Sequence, residues 1–303
     1  MHLLKQSTIL FDLAHQEMLN PSDEDFSEFF DLLLRIGVKV VKNDTKEIVK
    51  DVLEGVDILV IGNPIEKYFS NVEVKNIVAY VMEGGGLLCL SNFGADFLQK
   101  TNLNDLIGTH FGIFFEKNLI KEDNPINHNP SSILTINKFR DHEITNQLRE
   151  IVVGGACSFL INRYAKPLIE TNDHGVWSEE YNSITDQWVM EEYQKDEKKI
   201  IAAYREYGRG KVVAIGDVDM FTNDSNIGIN KLDNRQFIAN IFKWLSEPLK
   251  ESTVRGWALD QLGTLQGDIK GLGSKIDNII ETMMLLEKRI TVLEKGLLAK
   301  KEI

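Results

Sequence analysis

Cysteine is scarce: the 303 residues hold two, Cys89 and Cys157, each inside an apolar run. Two isolated thiols cannot make a disulfide framework, so they read as buried free thiols in a reducing, cytoplasmic compartment. Long apolar runs are missing as well. No stretch reaches the roughly 18 residues that a membrane-crossing helix requires. Met1-His2-Leu3-Leu4-Lys5 leads straight into a strand pattern without the apolar segment of a signal peptide. Nor is there an excess of positive charge, since 34 Lys and Arg stand against 46 Asp and Glu, a net charge of −12. An acidic surface repels phosphate backbones and anionic lipid, which argues against nucleic acid or membrane as a partner. The six histidines are scattered, and no Cys/His group has zinc-ligand spacing. No metal and no cofactor is expected on this basis.

Motifs for covalent or phosphate chemistry are also lacking. Gly84-Gly85-Gly86 precedes a strand, whereas a dinucleotide loop must follow a strand and open a helix. Gly208-Arg209-Gly210-Lys211 lacks phosphate-loop spacing and runs into a strand. Both read as turns. Leu90-Ser91-Asn92-Phe93-Gly94 places a serine after a strand, but a bulky neighbour stands where a nucleophile elbow needs a small residue, and no histidine is evidently paired with it. Cys89 falls inside the strand pattern itself.

Alternating strand and helix signals fill the first half. Thr8–Phe11, Val38–Val41, Asp57–Gly62 and Leu87–Leu90 read as strands, and 23–36, 45–53 and 71–82 as helices. Strict alternation predicts an α/β fold, a doubly wound and mostly parallel sheet with right-handed crossovers. Further strands are expected at 111–115, 133–136, 151–160 and 167–170. Residues 172–199 read as a polar loop or hairpin. Ile200–Tyr204 and Val212–Gly216 form a hairpin pattern with a glycine turn, and a helix over 232–245 closes the domain. The resulting division is a head over 1–247, a linker over 248–257 and a helical tail over 258–303.

Folds of this kind bind ligands at the carboxyl ends of parallel strands. Asp12, His15 and Glu17 follow the first strand, Asn63 the third, Ser91 and Asn92 the fourth, and Asp217 and Asp219 the late one. These eight are candidates for a small-molecule pocket, such as one for a sugar or a nucleotide. Asp and Asn at strand ends also serve as turn formers and helix caps, so both readings stand.

The tail carries an unbroken 3-4-3-4 apolar spacing: Leu262, Leu265, Ile269, Leu272, Ile276, Ile279, Met283, Leu286, Ile290, Leu293 and Leu297. These are the a and d positions of a coiled coil, and the seam is roughly 54 Å long. Ile at three of the six a positions with Leu at four of the five d positions favours a parallel dimer, and Arg289 at g can pair with Glu294 at the following e. Ile279 and Ile280 widen the face and leave room for a trimer, a tetramer or an added helix. Gly263, Gly267, Gly271 and Gly273 lie off the seam and weaken the helix when it stands alone. The partner expected is a second copy or a helical protein. A single amphipathic helix docked on its own domain is the alternative.

Three segments resemble the GIFT domain family. They are Phe11-Asp12-Leu13-Ala14-His15-Gln16-Glu17; Gly62-Asn63-Pro64-Ile65-Glu66-Lys67-Tyr68-Phe69 with Gly84 to Leu90 behind it; and Gly210 to Asp217 running through Met220-Phe221 to Asn234 and Phe242-Lys243-Trp244-Leu245. The family includes a gliding-motility transporter auxiliary subunit and the 52-kDa subunit of intraflagellar transport complex B. The resemblance implies a class I glutamine amidotransferase-like fold without its Cys-His-Glu machinery, and a role in assemblies. A non-enzymatic interaction protein is therefore expected first, a ligand-binding module second, and a degenerate hydrolase using Ser91 or Asp217 third.

Overall fold

The computed structural model describes residues 7–44, 46–123, 130–172, 175–190 and 198–299. The expectations placed on Met1 to Lys5, on Thr45 and on 191–197 lie outside these residues. The chain divides into two compact units, Met1–Leu249 and Lys250–Ile303.

The first unit opens with the alternation that its apolar periodicity demands: β1 (Thr8–Asp12), α1 (Ser27–Arg35), β2 (Lys39–Asn43), α2 (Lys50–Leu53), β3 (Ile58–Gly62), α3 (Asn71–Glu83) and β4 (Gly86–Leu90). Short helices α4 (Ala95–Gln99) and α5 (Leu103–Leu106) follow. The middle strands are β5 (Ile113–Phe115), β6 (Asn118–Asp123), β7 (Pro130–Ser131), β8 (Ile133–Ile136), β9 (Ile151–Gly154), β10 (Phe159–Ile161), β11 (Lys166–Glu170), β12 (Val176–Asn182) and β13 (Gln187–Met190). β14 (Ile200–Tyr207), β15 (Gly210–Ile215) and α6 (Asn234–Ser246) complete it.

The main sheet runs β2-β1-β3-β4-β15-β14-β10-β5, with β11 also on β14. From β2 to β15 every pairing is parallel, and beyond β15 every pairing is antiparallel. The fold is α/β with a mostly parallel sheet, as the alternation predicts. Register explains why the central strands are apolar throughout. Phe11, Val60, Leu88 and Val213 are aligned neighbours and lie in one core with Phe29 and Leu33 of α1 and Phe237 and Ile241 of α6. Leu10, Leu59, Leu87 and Val212 form the adjacent row and lie in a second core with Ile77 and Val81 of α3. A sheet covered on both faces has no polar side to alternate with.

Three expectations change in detail. The helix read over 45–53 is a single turn, α2. Asn43 Oδ1 accepts the Lys46 N–H at 3.2 Å and Glu73 Oε1 accepts the Ile48 N–H at 3.0 Å, so side chains take the donors that a longer helix would use. The strand read over 151–160 is broken into β9 and β10, because Gly155 adopts φ 79° and turns the chain. The strand read over 111–115 begins only at Ile113, because Phe111 closes a π-helical turn over 107–111 that ends at Gly112 with φ 71°.

The second unit is the helix α7 (Glu251–Ala299), 49 residues and about 74 Å long. It starts earlier than the expected linker allows. Pro248 stands just ahead of it, where a missing N–H costs nothing, and the Arg255 guanidinium lies 2.6 Å from the Glu251 carboxylate one turn away. The seam side chains from Leu262 to Ile290 are 51–62 % exposed. The side chains of Arg289, Leu293, Glu294 and Leu297 lie outside those described.

Candidate ligand site at the strand ends

At the end of β1 the chain must leave the sheet and pass over the end of β3. Gln16, with φ 56°, makes the turn, and the Met18 and Leu19 N–H groups bond to the Asn63 and Gly62 carbonyls at 3.1 and 3.0 Å. Leu19 lies so close to Gly62 that a Cβ there would meet it at 2.5 Å. This clip turns Asp12, His15 and Glu17 inward.

Asp12 is buried, and its Oδ2 lies 2.5 Å from His15 Nδ1. Its Oδ1 accepts from Asn43 Nδ2 at 3.0 Å and from the Ala14 N–H at 3.3 Å. His15 stacks on Phe69 with ring centroids 3.9 Å apart, and its Nε2 lies 3.3 Å from Glu73 Oε1. Burial opposes a charge on His15, but the Asp12 and Glu73 carboxylates outweigh it and raise the imidazole pKa. Glu73 also closes a capping box on α3, where Oε2 accepts the Ser70 N–H at 2.8 Å and Ser70 Oγ accepts the Glu73 N–H at 3.2 Å. Burial resists ionisation of Glu73, yet the Ser70 and Ile48 N–H groups and His15 hold its pKa below the usual range.

Glu17 differs from its neighbours. It is 6 % exposed, and neither carboxylate oxygen makes a hydrogen bond of normal geometry, although Asp12 and the Gly62 N–H act on it. Burial first, then the charge of Asp12, pushes its pKa well above the ordinary carboxyl value. Asn63, in left-handed backbone with φ 65°, points Nδ2 at Met18 Sδ, 2.8 Å away, and leaves its buried Oδ1 unpartnered.

The second group gathers where β4 and β15 end. Asp217 is fully buried, accepting the Gly154 N–H on Oδ2 and the Asp219 N–H on Oδ1, each at 2.8 Å. Burial, then the charge of Asp219, raises its pKa to about 8. Asn92 accepts the Phe93 N–H on Oδ1 at 2.8 Å and donates from Nδ2 to Asp219 Oδ2 at 3.3 Å. Burial raises the Asp219 pKa against that donation. Ser91 is buried beside the Cys157 thiol.

The eight candidates thus fall into two sets. Asp217 and Asn92 fasten loops through their own backbone surroundings, as strand-end Asp and Asn commonly do. Asp12, His15 and Glu17 converge, and Glu17 and Asn63 keep orphaned oxygens. Three participants were not among the candidates. Asn43 faces Asp12 in register and ends β2, so the strand-end rule could have found it. Glu73 reads in sequence as the fourth member of Ser70-x-x-Glu73, which explains it as a cap and hides its contact with His15. Phe69 closes the second segment that resembles the GIFT family, but nothing in the sequence ties it to His15. A groove of about 540 Å3 lies elsewhere in this unit, lined by residues such as Glu143, Gln147, Asn240 and Trp244 and by none of the eight candidates.

Neither thiol is disposed to react. Cys89 sits inside β4, where burial, and then the charge of Glu17, raises its pKa well above the ordinary value. Burial raises Cys157 likewise. A nucleophilic thiol needs the opposite environment. The side-chain contacts of His15 go to Asp12, Glu73 and Phe69, not to Ser91.

Sheet order and strand-end loops define an α/β head built on a mostly parallel sheet, its cysteines packed away. More particularly, residues 8–163 match the family described as the IFT52 GIFT domain, just over half of the chain, and the chain belongs to that family. Among solved structures it is similar to the mmIFT52 N-terminal domain at 18 % identity and a TM-score of 0.63, covering 79 % of this chain and 97 % of that one. It is similar to a ThuA-like protein from Bacteroides uniformis at 14 % identity and a TM-score of 0.50, covering 79 % and 90 %. A cytoplasmic protein from Salmonella typhimurium matches at 12 % identity and a TM-score of 0.50, covering 80 % and 100 %. These likenesses concern the fold. No curated protein sequence matches the chain. Among the described residues no helix is long and apolar enough to cross a membrane.

Proposed function

We infer that this chain is a non-enzymatic interaction protein of the intraflagellar-transport type, a GIFT head joined to a coiled-coil helix that pairs with a second copy. One observation carries this reading. The heptad seam is uninterrupted from Leu262 to Leu297, and its described members are more than half exposed on α7. An apolar stripe of this length is stable in water only when a second helix covers it. Ile at three of six a positions with Leu at four of five d positions favours two strands. Membership in the GIFT family and the buried thiols support a role without covalent chemistry.

The test is sedimentation of the full chain beside a version ending at Pro248. The full chain is expected at twice its formula mass and the shortened one at its own. Met283→Asp places a carboxylate at the middle of the seam and should return the full chain to monomer. Equal monomeric masses for the two versions discard the reading.

Ligand binding at the strand ends is a second reading, favoured by the orphaned oxygens of Glu17 and Asn63. A sugar or nucleotide that engages them would raise the melting temperature by mass action. A panel of both classes that leaves the melting temperature unmoved rejects it.

A further inference from the structure

Among the described residues, Asp12, His15 and Glu17 form the group whose ligand atoms converge, one from each side chain and all within 4.8 Å of one another. All three are buried. Convergence of acids alone carries little weight, because such groups are common in loops. Glu17 adds an independent sign. A carboxylate buried beside a second one, with no hydrogen bond of normal geometry to either oxygen, is a costly arrangement that a proton or a cation relieves.

The surroundings supply what a metal centre requires. Asp12 is fixed through its other oxygen by Asn43 and the Ala14 N–H. His15 is held flat by Phe69, and Glu73 faces its Nε2. Ligating histidines almost always give their remaining ring N–H to a carboxylate in this way, which sets the tautomer and orients the ring. Glu73 is fixed in turn by the Ser70 and Ile48 N–H groups. Without an ion Nδ1 lies at hydrogen-bond distance from Asp12, 2.5 Å away; a bound ion would displace that proton and part the pair, while Glu73 keeps the proton on Nε2. Two carboxylates and a neutral imidazole balance a divalent cation without residual charge.

We propose that Asp12, His15 and Glu17 form a binding site for a divalent transition-metal ion of the zinc and manganese class, oriented by Glu73. The imidazole favours these ions over calcium and magnesium, which prefer all-oxygen shells, and calcium takes six to eight such ligands. Three protein ligands leave a position for water or another donor. Histidine–cysteine spacing does not reveal the site, because two of its three ligands are carboxylates on a tight turn.

Untagged full-length protein, stripped with a chelator, is titrated with Zn2+ and separately with Mn2+ by calorimetry. One equivalent per chain is expected for at least one of the two. Glu73→Gln should weaken binding about 10–100-fold, the usual loss for such an orienting carboxylate, and Glu17→Gln by at least as much. Folded wild-type protein that binds neither ion overturns the proposal, as does binding that Glu17→Gln leaves unchanged. Should Glu17→Gln fail to fold, Co2+ added to the stripped wild type decides the matter. Weak visible d–d bands without thiolate charge-transfer absorption support the site. A thiolate band places the ion on a cysteine, and absence of any Co2+ spectrum shows no site; either overturns it.

Discussion

Asp217 sits under the ends of β4 and β15 with no exposed surface, and its carboxyl is pushed up to about 8 by burial and then by Asp219. In the unfolded chain the same group titrates near about 3.9. Between these values the native state holds a proton that the unfolded state has lost. Stability therefore falls as pH rises through this window, by at most about 1.4 kcal/mol per pH unit, and levels off above it. Asp217→Asn removes the titration but turns an amide donor toward one of the two N–H groups that Asp217 accepts. The variant should be less stable than wild type at pH 5, with the gap narrowing steadily toward pH 8. Urea midpoints at four pH values read this directly, and His15 and Glu17 cancel because both proteins carry them. A gap that stays constant means that Asp217 is ionised throughout. At this scale the sequence was legible wherever a polar residue ended an apolar strand, since the alternation locates strand ends. Seven of the eight candidates proved buried, and Asp219 half-buried. The pairing of His15 with Glu73 was not legible, because contact across 58 residues depends on how β1 and α3 meet, and no local pattern encodes that.

Elements whose signals are local came through nearly unchanged. β1, β3, β4 and α3 appear within a residue or two of their sequence limits, since apolar runs and the Ser70–Glu73 cap fix their ends. Elements shaped by distant partners did not, as α2 shows, its preceding donors being taken by Asn43 and Glu73. The glycines divide along the same line. A Cβ on Gly210 would lie 2.0 Å from the Val81 carbonyl oxygen and 2.4 Å from that of Gly85, main-chain atoms that cannot swing aside. Gly263 on α7 has nothing within 4 Å of its added Cβ. Gly210→Ala should therefore lower the stability of the head by about 3 kcal/mol, as overpacking against backbone does. Gly263→Ala should strengthen α7 by up to about 1 kcal/mol, the propensity difference between the two residues. Chemical unfolding of the two variants, followed by near-ultraviolet dichroism for the head and at 222 nm for the helix, separates the effects. Similar losses from both would mean that Gly263 is packed against something a Cβ displaces.

For the whole molecule, the two units reach stability by different routes. The head buries two apolar cores on either side of its sheet, so its folding free energy is expected to be independent of protein concentration. The helix of the second unit carries its apolar residues in a stripe that the described structure leaves exposed, and five glycines weaken its first half. Such a helix gains stability from association, and association is governed by mass action. For a dimer, each tenfold increase in concentration adds about 1.4 kcal/mol. Heating the full chain should accordingly show two transitions. One, seen mainly at 222 nm, should move to higher temperature over a hundredfold concentration range, while the head transition, seen in the near ultraviolet, stays fixed. A chain ending at Leu249 should retain only the fixed transition. If the 222 nm transition does not move while α7 remains helical, the seam is covered within one chain and pairing between copies is ruled out.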